Sequence, residues 1–260
     1  MRNSLAALAS HLAICVLLCA PVSLAQTPPA SSATAQKVPD LSGVWAIAAG
    51  GVSWDPADPA GAKPDQLPMT PWARKLFNDA KPPFGANGTF DNPNDPAQKY
   101  CDSPGMARLY DYPWQFTIIQ TPQNVFLLFE YFHTWRVVAM NQPHPKDLDP
   151  TWLGDSVGRY EGEALVIDTV GFNDKTWLDM VGHPHSDKLH TIERLRRIDH
   201  NTLQLELTVD DPKAYPKPFT AKKTFQSSSF PFGETMCSLS EVKAFQKHIM
   251  DRTVPSAPQK

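Results

Sequence analysis

The chain has 260 residues, of which 26 are proline and 13 glycine. Proline at roughly twice its usual ~5% beside ordinary glycine excludes a collagen-like repeat, and 42% hydrophobic with 10% aromatic residues excludes a disordered low-complexity chain. A formal charge of −3 and an isoelectric point near 6.2 leave no basic footprint, so no nucleic-acid partner is expected.

Residues 1–25 read as a secretory signal. Arg2 supplies the charge, Leu5 to Leu18 the apolar run, and Ser23-Leu24-Ala25 a small-x-small cleavage site ending at Ala25. The run is short for a membrane span. No other long apolar stretch follows, so no membrane span is expected and the compartment is secreted or periplasmic. Cleavage would remove Cys15 and Cys19 and leave Cys101 and Cys237. An even pair in an exported chain reads first as a disulfide; a metal-binding or redox thiol pair is the alternative, although no Cys-x-x-Cys is present. In the chain-entropy model such a loop contributes up to ~5 kcal/mol.

Residues 26–39 are a Pro/Ser/Ala/Thr linker. Residues 40–250 are expected to form one domain, followed by a tail over 251–260. Proline maps the domain: fifteen lie between Pro28 and Pro122, but only Pro184 lies between Thr151 and Asp211. Because proline cannot donate to a β ladder and breaks helix interiors, the first half should be mostly loop. Order starts at Asp40 to Trp45. Thr70 as N-cap and Pro71 at the first helical position predict a short helix over 70–80, with Trp72, Leu76 and Phe77 on its apolar face.

Strand signals then arrive in pairs. Trp114–Gln120 is one. Val125–Tyr131 and Trp135–Met140 are joined tightly near His133. Ser156–Tyr160 and Ala164–Val170 form a hairpin across Glu161-Gly162-Glu163, and His190–Ile198 and Thr202–Val209 another across Asp199-His200-Asn201. Ala221–Gln226 is the last. Short, evenly spaced strands with tight turns predict a mainly β fold, an antiparallel meander closing into a barrel. Ser238 and Glu241 form a capping box, and Leu239, Val242, Phe245 and Ile249 at helical spacing predict a C-terminal amphipathic helix.

Several residues invite a chemical reading. Glu130 follows the continuous apolar run Val125–Phe129; a strand buried on both faces would desolvate its carboxylate and suit it to acid/base work. A buried Glu paired with Arg is the structural alternative. His133 and Arg136 complete Glu-x-x-His-x-x-Arg, which strand parity splits unless a bulge or the turn reunites it. Arg159 and Asp168 lie on facing strands and are candidates for an ion pair, with Tyr160 pointing opposite to Arg159. His183, His185 and His190 fall within eight residues. They read as pocket-lining or plain loop histidines, with a metal site as the alternative. Alternation sets His190, Ile192, Arg194 and Arg196 on one face and Thr191, Glu193, Leu195 and Arg197 on the other.

The stretch Gly154 to Asp174, with Thr176-Trp177-Leu178-Asp179, Pro184-His185-Ser186 and Glu193-Arg194, resembles a large family of exported bacterial proteins. The resemblance extends to Cys101-Asp102-Ser103-Pro104-Gly105, to Glu130, His133 and Arg136, and to Asp210-Asp211-Pro212. It implies an exported bacterial protein and no particular reaction. Gly43-Val44-Trp45 before a β meander resembles the first strand of lipocalin-like barrels, whose Trp plugs the closed end. Among such barrels, phenolic acid decarboxylases use a buried Glu, Arg and Tyr without a cofactor, and this chain is similar to them in residue types but not in their order.

These readings combine into an expectation. The chain would be a cofactor-independent lyase or hydrolase acting on a small polar, aromatic or carboxylated molecule inside the barrel. Glu130 would be acid/base, with His133 or His185 a second proton carrier. Arg136 or Arg159 would hold an anionic group, Tyr131, Tyr160 and Trp177 would pack the substrate, and Asp168 and Arg194 would line the site. A non-catalytic small-ligand carrier and a metalloenzyme on His183, His185 and His190 are the rivals. An enzyme should gather Glu130 and a histidine in one pocket, whereas a carrier should leave them dispersed.

Overall fold

In the computed structural model, residues 38–63, 66–80, 94–233, 235–238 and 240 are described. The chain divides into two units, Met1–Gln36 and Lys37–Lys260, and every described residue lies in the second. The signal segment, most of the linker, the C-terminal helix and the tail expected from the sequence lie outside the described residues.

Nine strands close into a barrel: β1 (Gly43–Ala49), β2 (Phe116–Gln120), β3 (Asn124–Phe129), β4 (Thr134–Met140), β5 (Asp155–Glu161), β6 (Ala164–Val170), β7 (His190–Asp199), β8 (Thr202–Asp210) and β9 (Phe219–Ser227). The strands stand in chain order and β9 returns to pair with β1, so the barrel has no free edge at its seam. Among the described residues three short helices precede β2: α1 (Pro71–Ala80), α2 (Pro96–Tyr100) and α3 (Met106–Leu109). Helix α1 starts as expected, with Thr70 Oγ1 accepting from Ala73 N at 3.3 Å. Its buried positions are Ala73, Phe77 and Ala80, while Leu76 is exposed.

One pairing departs from an antiparallel meander: β4 and β5 run parallel, and only Ala139 with Val157 and Met140 with Gly158 are in register. The cause is the connection. Residues 141–154 run back along the outside of the barrel, the crossover of about a dozen residues that parallel neighbours require. His144 ties this crossover to the outer face, with Nδ1 2.6 Å from Asp155 Oδ1 and Nε2 3.2 Å from Asp168 Oδ1. The pair is close because β5 carries glycine there. A Cβ on Gly158 would sit 2.7 Å from Val138 Cγ1 and 2.9 Å from Met140 Sδ.

The interior is filled. Trp45, Ile118, Val125, Leu127, Val138, Leu165, Ile167, Leu195, Leu203, Leu205, Leu207 and Phe225 are inward-facing and almost without accessible surface. A hollow would leave its lining accessible, so around these side chains the barrel is a packed core. At one end Trp45 bonds Leu41 O through Nε1 at 3.1 Å and carries the Arg197 guanidinium 5.1 Å over its ring, consistent with the plug expected from Gly43-Val44-Trp45. At the other end the segment after α3 inserts Tyr110, whose ring meets those of Phe116, Phe129 and Phe225 at 5.5, 5.3 and 5.9 Å. Cys101 and Cys237 form a disulfide with a Cα–Cα distance of 5.5 Å, tying the loop before α3 to the chain beyond β9. Among the described residues no helix is long and apolar enough to cross a membrane.

Gly158→Ala should cost about 1–3 kcal/mol, because the added methyl overpacks the contact where β4 meets β5. Chemical denaturation of the purified variant checks this, and unchanged stability would show that the contact yields.

Candidate functional site

Arg136 is the organising residue of the interior. Alternation on β4 turns Arg136, Val138 and Met140 inward and Trp135 and Val137 outward. The Arg136 Nε donates to Ser156 Oγ on β5 at 2.9 Å, and Nη2 donates to Thr169 Oγ1 on β6 at 2.6 Å and to Glu193 Oε2 on β7 at 2.5 Å. Glu193 Oε1 accepts from Tyr110 OH at 2.7 Å. Both partners of this ion pair are buried, at 2% and 0% side-chain exposure. Burial works against the Arg136 charge, but Glu193 outweighs it and holds the guanidinium protonated. The guanidinium spans the wall where β4 and β5 have parted, so side-chain bonds replace a missing backbone ladder. Burial first and Glu193 second push the Tyr110 hydroxyl well up, with Arg136 only partly opposing them, so it acts as a donor.

Outside this staple the parted strands leave a cleft of about 440 Å³. It is lined by Ser103 of the loop before α3, by His133 to Val137 and by Thr151 to Gly154. Trp135 is 65% exposed. A smaller hollow of about 230 Å³ adjoins it along Ser103, His133 and Thr134 and reaches the disulfide. Phe132 and His133 form the tight turn before β4, both with positive φ, at 57° and 47°. Left-handed geometry at both positions is what a two-residue hairpin turn demands, and it is costly for residues other than Gly and Asn. Phe132 stacks on Tyr131 at 4.1 Å.

The other expected site residues do not converge on this cleft. Glu130 lies just beyond β3, which alternates half-buried and buried positions rather than being buried on both faces. Its carboxylate accepts from Gln115 N at 3.3 Å, Gln115 Nε2 at 3.4 Å and Gly233 N at 3.1 Å. No described hydrogen bond joins it to a histidine, and His133 is an exposed turn residue. Tyr131 stacks on Tyr112 and Trp114 at 3.8 and 4.6 Å. Tyr160, at the opposite end of the barrel, accepts from Gln120 Nε2 at 2.7 Å. Trp177 packs against the Arg108 guanidinium, which is paired with Asp95.

The expected Arg159–Asp168 pair does not form, because the register sets Arg159 opposite Val166 and Asp168 opposite Val157. Arg159 instead donates to Glu161 at 2.8 Å, and Glu161 accepts from Arg194 at 2.6 Å, all on the outer face. Asp168 accepts a contact from His190 Nε2 at 3.0 Å. Arg136 is therefore inside and Arg159 and Arg194 outside, and the three do not share a pocket.

The three histidines do not form a metal site either: among the described residues no group of three His, Cys, Asp or Glu side chains has metal-holding geometry. Each histidine has its own partner. His183 Nδ1 lies 2.6 Å from Asp179 Oδ2, and its ring stacks on Phe77 at 5.2 Å. Burial would raise the Asp179 carboxyl, but His183 and the backbone N–H groups of Trp54 and His183 override it and hold the group below its ordinary value. His185 is buried, and burial lowers its pKa, keeping it neutral. Its Nδ1, 3.1 Å from Ser186 O, must donate there, so Nε2 accepts from Thr176 Oγ1 at 2.6 Å. Ser186 Oγ donates to Asp211 Oδ1 at 2.8 Å. These pairs fold the 171–189 loop and turn its histidines away from the cleft, whose lining includes only His133 of the expected proton carriers.

Two further buried charge pairs were not anticipated, Arg108 with Asp95 and Lys223 with Asp111. Lys223 occupies an inward position between Ala221 and Phe225 on β9, and that apolar alternation was the available signal. Its Nζ donates to Gly50 O at 3.1 Å and Gly51 O at 2.8 Å and lies 4.2 Å over the Trp54 ring. It is 2.7 Å from Asp111 Oδ1, but off the carboxylate's hydrogen-bonding directions, so neither Asp111 oxygen has a well-directed donor. Burial pushes the Asp111 carboxyl from 3.8 up to about 7, with Lys223 only partly opposing it.

Neither a family model nor a curated protein sequence matches the chain. Among solved structures, a chain described as "REP1-NXSQ fatty acid transporter" is similar over 74% of this chain and 98% of its own, at 12% identity and a TM-score of 0.34. A likeness that loose carries no function across.

Asp111 sets a pH dependence. Folded, it keeps its proton to about pH 7, whereas unfolded it releases it near 3.8. The folded state binds more protons between those values, so this contribution is full below about pH 4 and is lost as pH rises through 7. Urea unfolding across pH 4 to 7 should show stability falling on the order of a few kcal/mol, and Asp111→Asn should flatten that slope.

Proposed function

We propose that this chain is a non-catalytic binder of a small molecule, with its site in the cleft between β4 and β5 rather than inside the barrel. One observation carries the reading: Glu130, His185 and Arg136 are each paired separately and do not converge with His133, while the cleft presents an open, aromatic-lined wall. Glu130 is held by Gln115 and Gly233, His185 by Thr176, and Arg136 by Glu193. The cleft's volume of about 440 Å³ falls in the range of small-molecule sites. It combines a few polar groups with apolar and aromatic side chains, as such sites do. The barrel core, which a carrier of the enclosed kind would keep hollow, is occupied by side chains.

An exported bacterial binder is the reading that the Gly154–Asp174 motif, the signal-like start and the disulfide together favour. Affinity selection tests it. The protein would be incubated with a small-molecule extract and recovered, and the retained compounds identified by mass spectrometry. The reading expects a compound retained at unchanged mass by the wild type and by Glu130→Gln but lost by Trp135→Ala. Depletion of a compound with appearance of a product, abolished by Glu130→Gln, would contradict it and restore catalysis.

A further inference from the structure

The chemistry of the cleft wall narrows the class of ligand, on the reading that the cleft is the binding site. Three observations bear on it. The first is charge. Among the described lining residues only Arg136 carries a permanent charge, and that charge is already spent on Glu193 at 2.5 Å in a site closed to solvent. Arg136 and not Glu193 lines the cleft, but the pair carries no net charge and the guanidinium is buried, with Nη1 closed to solvent, so the attraction left for an anion is weaker than a free arginine would give. The nearby cation is Lys175, exposed to the rim, 5.7 Å over the Trp152 ring.

The second is the pattern of hydrogen-bonding groups. Ser103, Thr134 and Thr151 contribute hydroxyls, each able to donate and accept. The β4 backbone adds more. Met140 N points to β3, bonding Gln123 O at 2.9 Å, while Asn141 N points to β5, bonding Gly158 O at 2.7 Å. By alternation along the strand, the N–H and C=O of Val137 and Trp135 also face the β5 side. There β5 has departed, since its register with β4 begins at Ala139. The wall therefore shows both donors and acceptors, and behind it Arg136 Nη1 is a buried donor without a hydrogen-bond partner.

The third is the aromatic surface. Trp135, on the outward face of β4, and Trp152, on the returning crossover, both line the cleft. Indole faces pack well against flat apolar surfaces, including the C–H faces of a saturated ring. A ligand with a flat C–H face, a hydroxyl-bearing edge and no charge meets all three conditions, and that is a sugar ring. We infer that the β4–β5 cleft binds an uncharged carbohydrate of one or two pyranose units, stacked on Trp135 and hydrogen-bonded to Ser103, Thr134, Thr151 and the free β4 edge. A carboxylated molecule, one of the classes expected for an interior site, finds the lining guanidinium already ion-paired with Glu193.

Saturation-transfer NMR and titration calorimetry test the inference. The probes are neutral saccharides (cellobiose, maltose, chitobiose and their monosaccharides), the uronic-acid counterparts, and 4-hydroxybenzoate as a charged aromatic control. The expected result is binding of at least one neutral saccharide, with saturation strongest on its ring C–H protons. Affinity should fall at least tenfold in Trp135→Ala, whose exposed position leaves folding intact, and at least threefold in Thr134→Val. The uronic acid should bind at least tenfold more weakly than its neutral partner. Binding of 4-hydroxybenzoate or a uronic acid in preference, lost in Trp135→Ala, would overturn the ligand class while the cleft stood as the site. No probe of either kind depending on Trp135 would overturn the carbohydrate inference, and the affinity selection above then decides separately whether the cleft binds anything at all.

Discussion

Burying a guanidinium inside a barrel is costly, and the wall of this fold from β4 to β7 is arranged around one such group. Arg136 reaches from β4 to Ser156, Thr169 and Glu193, on the three strands that follow it. Tyr110 closes the far side of Glu193. Desolvating both charges costs several kcal/mol per ion, repaid only when geometry and extra hydrogen bonds are good. Here they are supplied where β4 and β5 lack a full backbone ladder. The ion pair thus does the closing that main-chain bonds do elsewhere in the sheet. It also anchors the segment after α3, because the hydroxyl of Tyr110 has its partner there.

The cleft is the outer consequence of the same arrangement. A parallel neighbour needs a long crossover, and the crossover returns at the level where β4 starts. Two strands that meet only at Ala139–Met140 must diverge towards Thr134. The divergence exposes the β4 edge and brings Trp135 and Trp152 to one opening. Inside the wall the charge is cancelled and outside it the surface is neutral, hydroxyl-bearing and aromatic. Structure and proposed ligand class are linked through the pairing of Arg136 with Glu193: a free Arg136 would have made an anion site.

Much of the scaffold was legible in the sequence for local reasons. Glu161-Gly162-Glu163 and Asp199-His200-Asn201 are turn sequences between β-branched runs, and the period-two pattern of His190–Ile198 correctly set Thr191, Glu193 and Leu195 on one face. The proline map separated the loop-rich start from the sheet, and the two cysteines left after the signal-like segment pair as expected. The parallel β4–β5 contact was not legible, because a strand sequence does not state the direction of its neighbour.

The site was less legible, for a related reason. Arg136 and Glu193 are 57 positions apart, and nothing local announces that they meet. Each was noticed separately, Arg136 as an anion holder and Glu193 as one polar position of an alternating strand, yet their chemistry is joint. Glu130 looked buried because an unbroken apolar run resembles a strand covered on both faces, whereas here the outer positions are half-buried. The histidines looked like a cluster because they are close in sequence, but the loop turns each towards a separate partner. Trp135 and Trp152 passed unremarked, since an aromatic residue in a strand or loop reads first as core.

Whether Arg136 and Glu193 act as one unit in closing the barrel is measured directly by a double-mutant cycle on folding stability. Wild type, Arg136→Met, Glu193→Leu and the double variant would be unfolded in urea under one set of conditions. Each single change should cost about 3–5 kcal/mol by stranding a buried charge, and the double variant should lose no more than the worse single one. Losses that simply add would show that the two residues stabilise the fold independently, and the ion pair would then not be what holds β4 to the strands beyond the cleft.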